Sequence, residues 1–242
     1  MPDLLLSVLK YALLPVAATV TGATLASFRP PGPLLRSYIQ HFAAGVVFSV
    51  VAVELLPDVV RGHAPLQVVS GFALGVAVML GVRSFTAKAE KKSGRAESKW
   101  PVAMLAAVGV DVLVDGFLIG IGFAAGAKEG KLLTLALTIE LLSLGLAVCS
   151  TLGKGGAARG QAILTTSLLG MLIVVGATLG ATLLSAVSEK TLEVVLSFGL
   201  AALLFLVTEE LLVEAHEEPE TPLTTATFFA GFLLFLVLGM QA

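Results

Sequence analysis

Apolar residues in this chain gather into eight long blocks, at 4–28, 38–60, 66–82, 102–126, 132–152, 162–187, 191–213 and 223–240. A helix needs about 20 mostly apolar residues to cross the hydrocarbon core of a bilayer. Each block therefore predicts one transmembrane helix. Turn-forming runs separate several of them: Arg29-Pro30-Pro31-Gly32-Pro33, Gly153-Lys154-Gly155-Gly156 and Glu217-Glu218-Pro219-Glu220-Thr221-Pro222. No polar stretch is long enough for a separate soluble domain. Residues 1–242 are expected to form one all-α membrane domain of eight transmembrane helices. The first block is long, lacks a basic leading segment and offers no clear cleavage site, so it is read as helix 1 rather than a secretory leader.

Composition agrees. The 242 residues are 57% hydrophobic and 13% charged, with a mean hydropathy of +0.97. Soluble domains carry roughly a quarter charged residues. An ordinary soluble enzyme, a disordered chain and a nucleic-acid binder with a broad basic surface are excluded. The net charge of -2 says little about partners; the placement of charge says more. Arg29, Arg36, Arg83, Lys88, Lys91, Lys92, Arg95, Lys99, Lys154 and Arg159 follow helices 1, 3, 5 and 7, whereas Lys10, Arg61, Lys128, Lys131 and Lys190 belong to the opposite side. Basic residues are retained in the cytoplasm. Both termini are expected outside, with 83–100 a basic cytoplasmic loop beside the lipid headgroups. The membrane is expected to be the plasma membrane, or the inner membrane of a bacterial cell. Cys149 lies inside an apolar block and packs as a small apolar residue, which leaves no intrachain disulfide and no cysteine zinc site.

An internal repeat is visible. His41-Phe42 through Glu54-Leu55-Leu56-Pro57-Asp58 lines up without gaps against Ser197-Phe198 through Glu210-Leu211-Leu212-Val213-Glu214. Helix 2 runs outward and helix 7 inward, so helices 1–3 and 6–8 would be inverted copies around helices 4 and 5. Inverted repeats are found in transporters whose sites lie near the midplane.

Charge at the bilayer centre costs at least ~2.5–3.5 kcal/mol, so intramembrane carboxylates point to function. Asp111 and Asp115 are four residues apart, hence on one face of helix 4. Glu140 lies at the same depth on the antiparallel helix 5. Three such groups cannot all stay ionised unless something offsets their repulsion. A divalent cation does so, and shared protons are the alternative. A single protonated carboxyl bonded to Ser143 would be the ordinary structural explanation. Gly116 and Gly120 on helix 4 form a small-xxx-small pair for close helix approach. A second polar cluster holds Glu209, Glu210, Glu214 and His216, with His41 on the same side; these are candidates for an exit path. Glu54 and Asp58 hold the corresponding place at the outer end of helix 2, as an entrance.

These residues resemble the ZIP (Zrt/Irt-like protein) family of divalent-metal transporters. Helix 2 carries Ala44-Gly45-Val46 and Glu54-Leu55-Leu56-Pro57. Helix 7 carries Glu209-Glu210-Leu211-Leu212-Val213-Glu214-Ala215-His216, similar to the family's E-E-L-L-P-E-A-H. Asp115-Gly116-Phe117 through Phe123 resembles the segment after the family's H-N-x-x-[DE]-G, and Gly145-Leu146-Ala147-Val148 matches the tail of its helix-5 motif. The ligand positions depart from the pattern. The family's helix-4 His falls on Asp111 and its Asn on Val112, while Asp115 keeps the acidic ligand. In helix 5 the first ligand falls on Glu140 and a later one on Leu144; a register one residue different places Ser143 there. The helix-6 Glu-Pro falls on Ala177-Thr178. The resemblance thus implies the ZIP fold, with helices 1, 4, 5 and 6 moving against 2, 3, 7 and 8. It leaves one site of Asp111, Asp115 and Glu140, with Ser143 as a further candidate ligand. A site without imidazole favours harder ions; manganese, ferrous iron, cadmium and magnesium stand beside zinc as candidates.

The leading expectation is a transporter that moves a divalent metal ion into the cytoplasm by alternating access. No tightly bound cofactor, no enzymatic activity and no nucleic-acid partner are expected. Proton coupling and homodimer formation stay open. The competing readings are a ZIP-fold transporter of protons or another small solute that has lost metal binding, and a non-transport membrane sensor.

Overall fold

The computed structural model describes residues 2–93, 101–184 and 187–241. Arg95 and Lys99 of the expected basic loop, and residues 185–186 of the sixth expected span, lie outside the described residues. The chain is an all-α membrane protein, with eight helices among the described residues long and apolar enough to span a bilayer. They are α1 (Pro2–Phe28), α2 (Pro33–Arg61), α3 (Pro65–Ser93), α4 (Val102–Ala125), α5 (Ala127–Lys154), α6 (Arg159–Leu184), α7 (Glu189–Phe205, Leu206–Leu211 and Leu212–Ala215) and α8 (Pro222–Gln241). "The Arg83 end" and "the Lys128 end" denote the two ends of the bundle below.

Several helices outrun their apolar blocks. Pro33 starts α2 five residues before the expected Tyr38, because proline suits the first helical turn. Residues 83–93, expected as loop, continue α3 to Ser93. Their Lys, Glu and Ala residues lower hydropathy but are good helix formers. Residues 127–131, expected to join helices 4 and 5 as a loop, are already the first turns of α5. Gly126 alone, in an extended conformation (φ 178°), separates α4 from α5. At Met171, α6 is interrupted between Arg159–Gly170 and Leu172–Leu184.

Two helices contain a π turn, at Val51–Leu55 in α2 and Leu206–Leu211 in α7. A π turn accommodates one extra residue and re-aims the side chains around it. Proline at 57 removes a donor from the helix just beyond the first turn. The equivalent residue in α7 is Val213, so proline alone does not explain the pair.

Close backbone contacts at glycine organise the bundle. Gly75 of α3 abuts the Phe198 carbonyl of α7, and Gly231 of α8 abuts the Phe42 carbonyl of α2. Adding 156 converts Gly75 to Gly231, Phe42 to Phe198 and Glu54 to Glu210. The aligned repeat is therefore also a repeat of contacts. A second set relates the remaining helices. Gly22 of α1 abuts the Leu142 carbonyl of α5, and Gly145 abuts that of Thr19; Gly176 of α6 abuts the Leu113 carbonyl of α4, and Gly116 abuts that of Ile173. Adding 154 on α1 gives α6, and subtracting 29 on α5 gives α4. The same operation that exchanges the repeats thus exchanges α4 with α5 and places Glu140 on Asp111.

These glycine contacts fall within two groups, α1–α4–α5–α6 and α2–α3–α7–α8. Where α7 faces α4 across the groups, Gly199 lies opposite the side chains of Ile121 and Leu118 with room for a methyl group at ordinary van der Waals distance. Buried threonines satisfy themselves inside their own helices, as Thr19 does by donating to the Pro15 carbonyl and Thr166 to that of Ala162.

A side chain at Gly231 or Gly45 would overlap the carbonyl of the facing helix. Gly231→Val is expected to cost about 1–3 kcal/mol in reversible denaturation from mixed micelles. Gly81→Ala, which meets nothing within 4 Å, should be neutral or slightly stabilising.

Candidate metal site

Antiparallel packing of α4 against α5 brings the three sequence-identified carboxylates together. One ligand oxygen from each of Asp111, Asp115 and Glu140 lies within 4.8 Å of the others. Asp115 is 2% exposed and Glu140 4%, while Asp111 is half-buried. Burying polar groups is costly unless they are bonded, yet Asp115 Oδ2 and Glu140 Oε2 have no hydrogen-bond partner among the described residues. Two acceptors from different helices are thus desolvated, close together and unsatisfied. No cationic side chain forms an ion pair with any of the three among the described residues. Ser143 is buried one turn beyond Glu140 on α5.

A fourth carboxyl joins them from the facing group of helices. Glu210, within the π turn of α7, shares a hydrogen bond with Asp111. Glu209, its neighbour, turns to Arg83 of α3 instead. Two adjacent glutamates therefore serve opposite walls of one cavity of about 310 Å3, lined by Arg83, Val108, Asp111, Leu144, Glu209, Glu210 and Glu214. It leads from the Arg83 end to Asp111. A neighbouring cavity of about 290 Å3 lies against Pro30, Arg36, Gln40, Ser150, Lys154 and Glu214. Gln40 and Arg36 of α2 both contact Glu214.

Toward the Lys128 end the site is closed. Between Asp115 and Gly126 on α4, and between Lys128 and Glu140 on α5, Leu118, Ile119, Leu133 and Leu137 are essentially inaccessible. Beyond this apolar layer, a cavity of about 200 Å3 is lined by Glu54, Asp58, Arg61, Lys128 and Glu129. The buried Glu54 carboxylate pairs with Lys128 Nζ at 3.5 Å, and Asp58 pairs with Arg61 at 3.2 Å. Of the residues read as an entrance, Glu54 and Asp58 do share a cavity, but each is engaged by a cation. Lys128 was not singled out in the sequence, although its place at the same end as Glu54 was legible from the order of spans.

Of the residues read as an exit path, Glu209, Glu210 and Glu214 line the cavity that reaches Asp111. His41 and His216 line neither cavity at the Arg83 end. They face each other instead, with ring centroids 5.3 Å apart.

No protein-family model matches the chain. It is similar to the zinc transporter GufA of Myxococcus xanthus, with 30% identity over 227 residues that cover 89% of this chain and 88% of the relative.

Crowded, unpartnered carboxylates oppose the ion-free fold. Asp115→Asn and Glu140→Gln are each expected to raise the thermal midpoint of metal-free protein by a few degrees and to abolish its stabilisation by added divalent ions. A lower midpoint for both variants would contradict the picture of mutual repulsion.

Proposed function

The chain belongs to the ZIP (Zrt/Irt-like protein) family, and we propose that it carries a divalent metal ion into the cytoplasm through the site formed by Asp111, Asp115 and Glu140. The observation that carries this reading is the convergence of three carboxylates with two buried oxygens unsatisfied. A divalent ion both supplies the missing partner for those oxygens and offsets their repulsion. The name of the relative supports metal as the cargo.

The donor set is all oxygen. Carboxylates bind zinc at about 2.0–2.2 Å and also suit manganese and ferrous iron, which imidazole-poor sites accommodate. Zinc is the reference cargo, and manganese and ferrous iron are the harder ions this site would accept more readily than an imidazole site would. Gradients drive the movement, since Gly153-Lys154-Gly155-Gly156 lacks the spacing of a phosphate-binding loop.

The Arg83 end is the cytoplasmic one in this reading, because it carries the larger share of Lys and Arg. The described conformation is then inward-facing. Water reaches Asp111 through the cavity lined by Glu209, Glu210 and Glu214, and the apolar layer around Ile119 and Leu137 blocks the outside. Glu210, hydrogen-bonded to Asp111, is the first acceptor a departing ion meets. Exchange of the two faces requires the α1–α4–α5–α6 group to move against the other four helices. The looser fit at Gly199 allows it, whereas the backbone-to-glycine contacts within each group resist it.

In proteoliposomes, Asp115→Ala is expected to reduce uptake of zinc, manganese and iron to that of empty vesicles, while the protein keeps its helical content. Uptake equal to the unsubstituted protein would sink the assignment. Glu210→Gln should slow uptake by about tenfold without eliminating ion-induced stabilisation. Orientation is read separately. In a Cys149→Ala background, Gly155→Cys should react with a membrane-impermeant maleimide only after the cells are opened, and Lys128→Cys in intact cells.

A further inference from the structure

One cluster of metal-ligating side chains lies apart from the carboxylate site and its cavities. His41 is at the Arg83 end of α2, His216 closes α7, and Glu220 lies in the turn before α8. One ligand atom from each falls within 4.8 Å of the others. Two stretches of chain far apart in sequence, the start of α2 and the end of α7 with the turn after it, thus present two imidazoles and a carboxylate to one point.

The state of His41 is the telling feature. Its side chain is 3% exposed. Nδ1 lies 2.9 Å from the Ser37 carbonyl oxygen. A carbonyl can only accept, so Nδ1 carries the proton and Nε2 carries the lone pair. No hydrogen bond to Nε2 exists among the described residues. A buried imidazole that donates one ring N–H to a backbone carbonyl, keeps the other nitrogen free of hydrogen bonds, and sits with its ring 5.3 Å from that of a second histidine and within the same cluster as a carboxylate has the arrangement of a metal ligand.

The surroundings hold this arrangement in place. Ser37 Oγ donates to the Ala215 carbonyl at 2.8 Å, tying the first turns of α2 to the residue before His216. His216 already contacts Glu220. Glu220 in turn precedes a reciprocal cap in which the Thr224 backbone N–H donates to Thr221 Oγ1 at 3.2 Å and the Thr221 N–H donates to Thr224 Oγ1 at 2.9 Å. The two histidine-bearing helices and the turn are therefore preset before any ion arrives.

We propose that His41, His216 and Glu220 form a second divalent-cation site at the Arg83 end, with a preference for a borderline ion such as zinc. Two nitrogens and one oxygen suit zinc better than manganese or magnesium. Three protein ligands leave one tetrahedral position for water, and the exposure of His216 and Glu220 keeps that position open to exchange. Neither histidine lines the cavities that lead to Asp111, so the ion held here is not the ion in transit. Its effect is to staple the start of α2 to the end of α7 and the turn into α8. The site stands whether or not Asp111, Asp115 and Glu140 move metal.

Zinc K-edge absorption on tag-free, full-length protein separates the two sites, because only the proposed one contains imidazole. With zinc added, the unsubstituted protein is expected to show the outer-shell scattering of two imidazoles on one bound ion. Asp115→Ala should keep that scattering. His216→Ala, an exposed position whose loss leaves the core intact, should lose it together with about one zinc per chain in equilibrium dialysis, and Glu220→Gln should weaken zinc binding there by about tenfold. His63→Gln should change nothing. Zinc with oxygen ligands alone in the unsubstituted protein, or imidazole scattering undiminished in His216→Ala, overturns the proposal.

Discussion

Three carboxyl groups held within 4.8 Å of one another, largely away from water, set the terms for the rest of this molecule. Asp111, Asp115 and Glu140 would each be expensive at the bilayer centre, and together they repel. A scaffold that keeps them a few ångströms apart must supply rigidity from elsewhere. It does so by bringing backbones together at glycine: Gly22 and Gly145 lock α1 to α5, and Gly116 and Gly176 lock α4 to α6. In a bilayer, where apolar burial between helices gains little, such close van der Waals contact is a main source of cohesion. The cost of the site and the tightness of the packing around it are two sides of one arrangement.

The scaffold is nearly symmetric and the site is not. The operation that places α1 on α6 and α2 on α7 also places Glu140 on Asp111. Asp115 has Leu144 as its counterpart, a residue that borders the cavity of the Arg83 end. Glu54 and Glu210 are also counterparts, each within a π turn. Yet Glu54 is engaged by Lys128 at one end, while Glu210 reaches Asp111 at the other. The same local geometry thus serves two different partnerships, while the apolar layer of Leu118, Ile119, Leu133 and Leu137 closes the Lys128 end.

Much of this was legible in the sequence. Eight apolar blocks located the spans, and the scarcity of charge made Asp111, Asp115 and Glu140 conspicuous. Their fixed spacing on consecutive antiparallel helices implied that they meet. Helix ends were less legible, because hydropathy falls at Arg83 and Lys128 where helical propensity does not, so α3 and α5 outrun their blocks. The π turns were hidden for a different reason: Val213 replaces proline in the second copy, and no composition distinguishes a helix with one extra residue in a turn. Lys128 as partner of Glu54, and His41 facing His216, depend on which helices adjoin across the bundle. The adjacency of α2 to α5 and to α7 is shown by those pairs themselves, the Glu54–Lys128 ion pair and the facing rings of His41 and His216.

The single extended residue between α4 and α5 has a consequence for how ions are told apart. With Gly126 as the whole connection, and each helix locked to a neighbour of the same group, the two carboxylate-bearing helices travel together. In the proposed cycle, the three oxygens that would receive an ion on one side of the membrane are the same three, at the same spacing, that would present it to the other. Discrimination between ions would then be made once, on capture, and not tested again before departure. Release would have to come from outside the coordination sphere, by water and by a competing carboxylate such as Glu210, rather than by the ligands drawing apart.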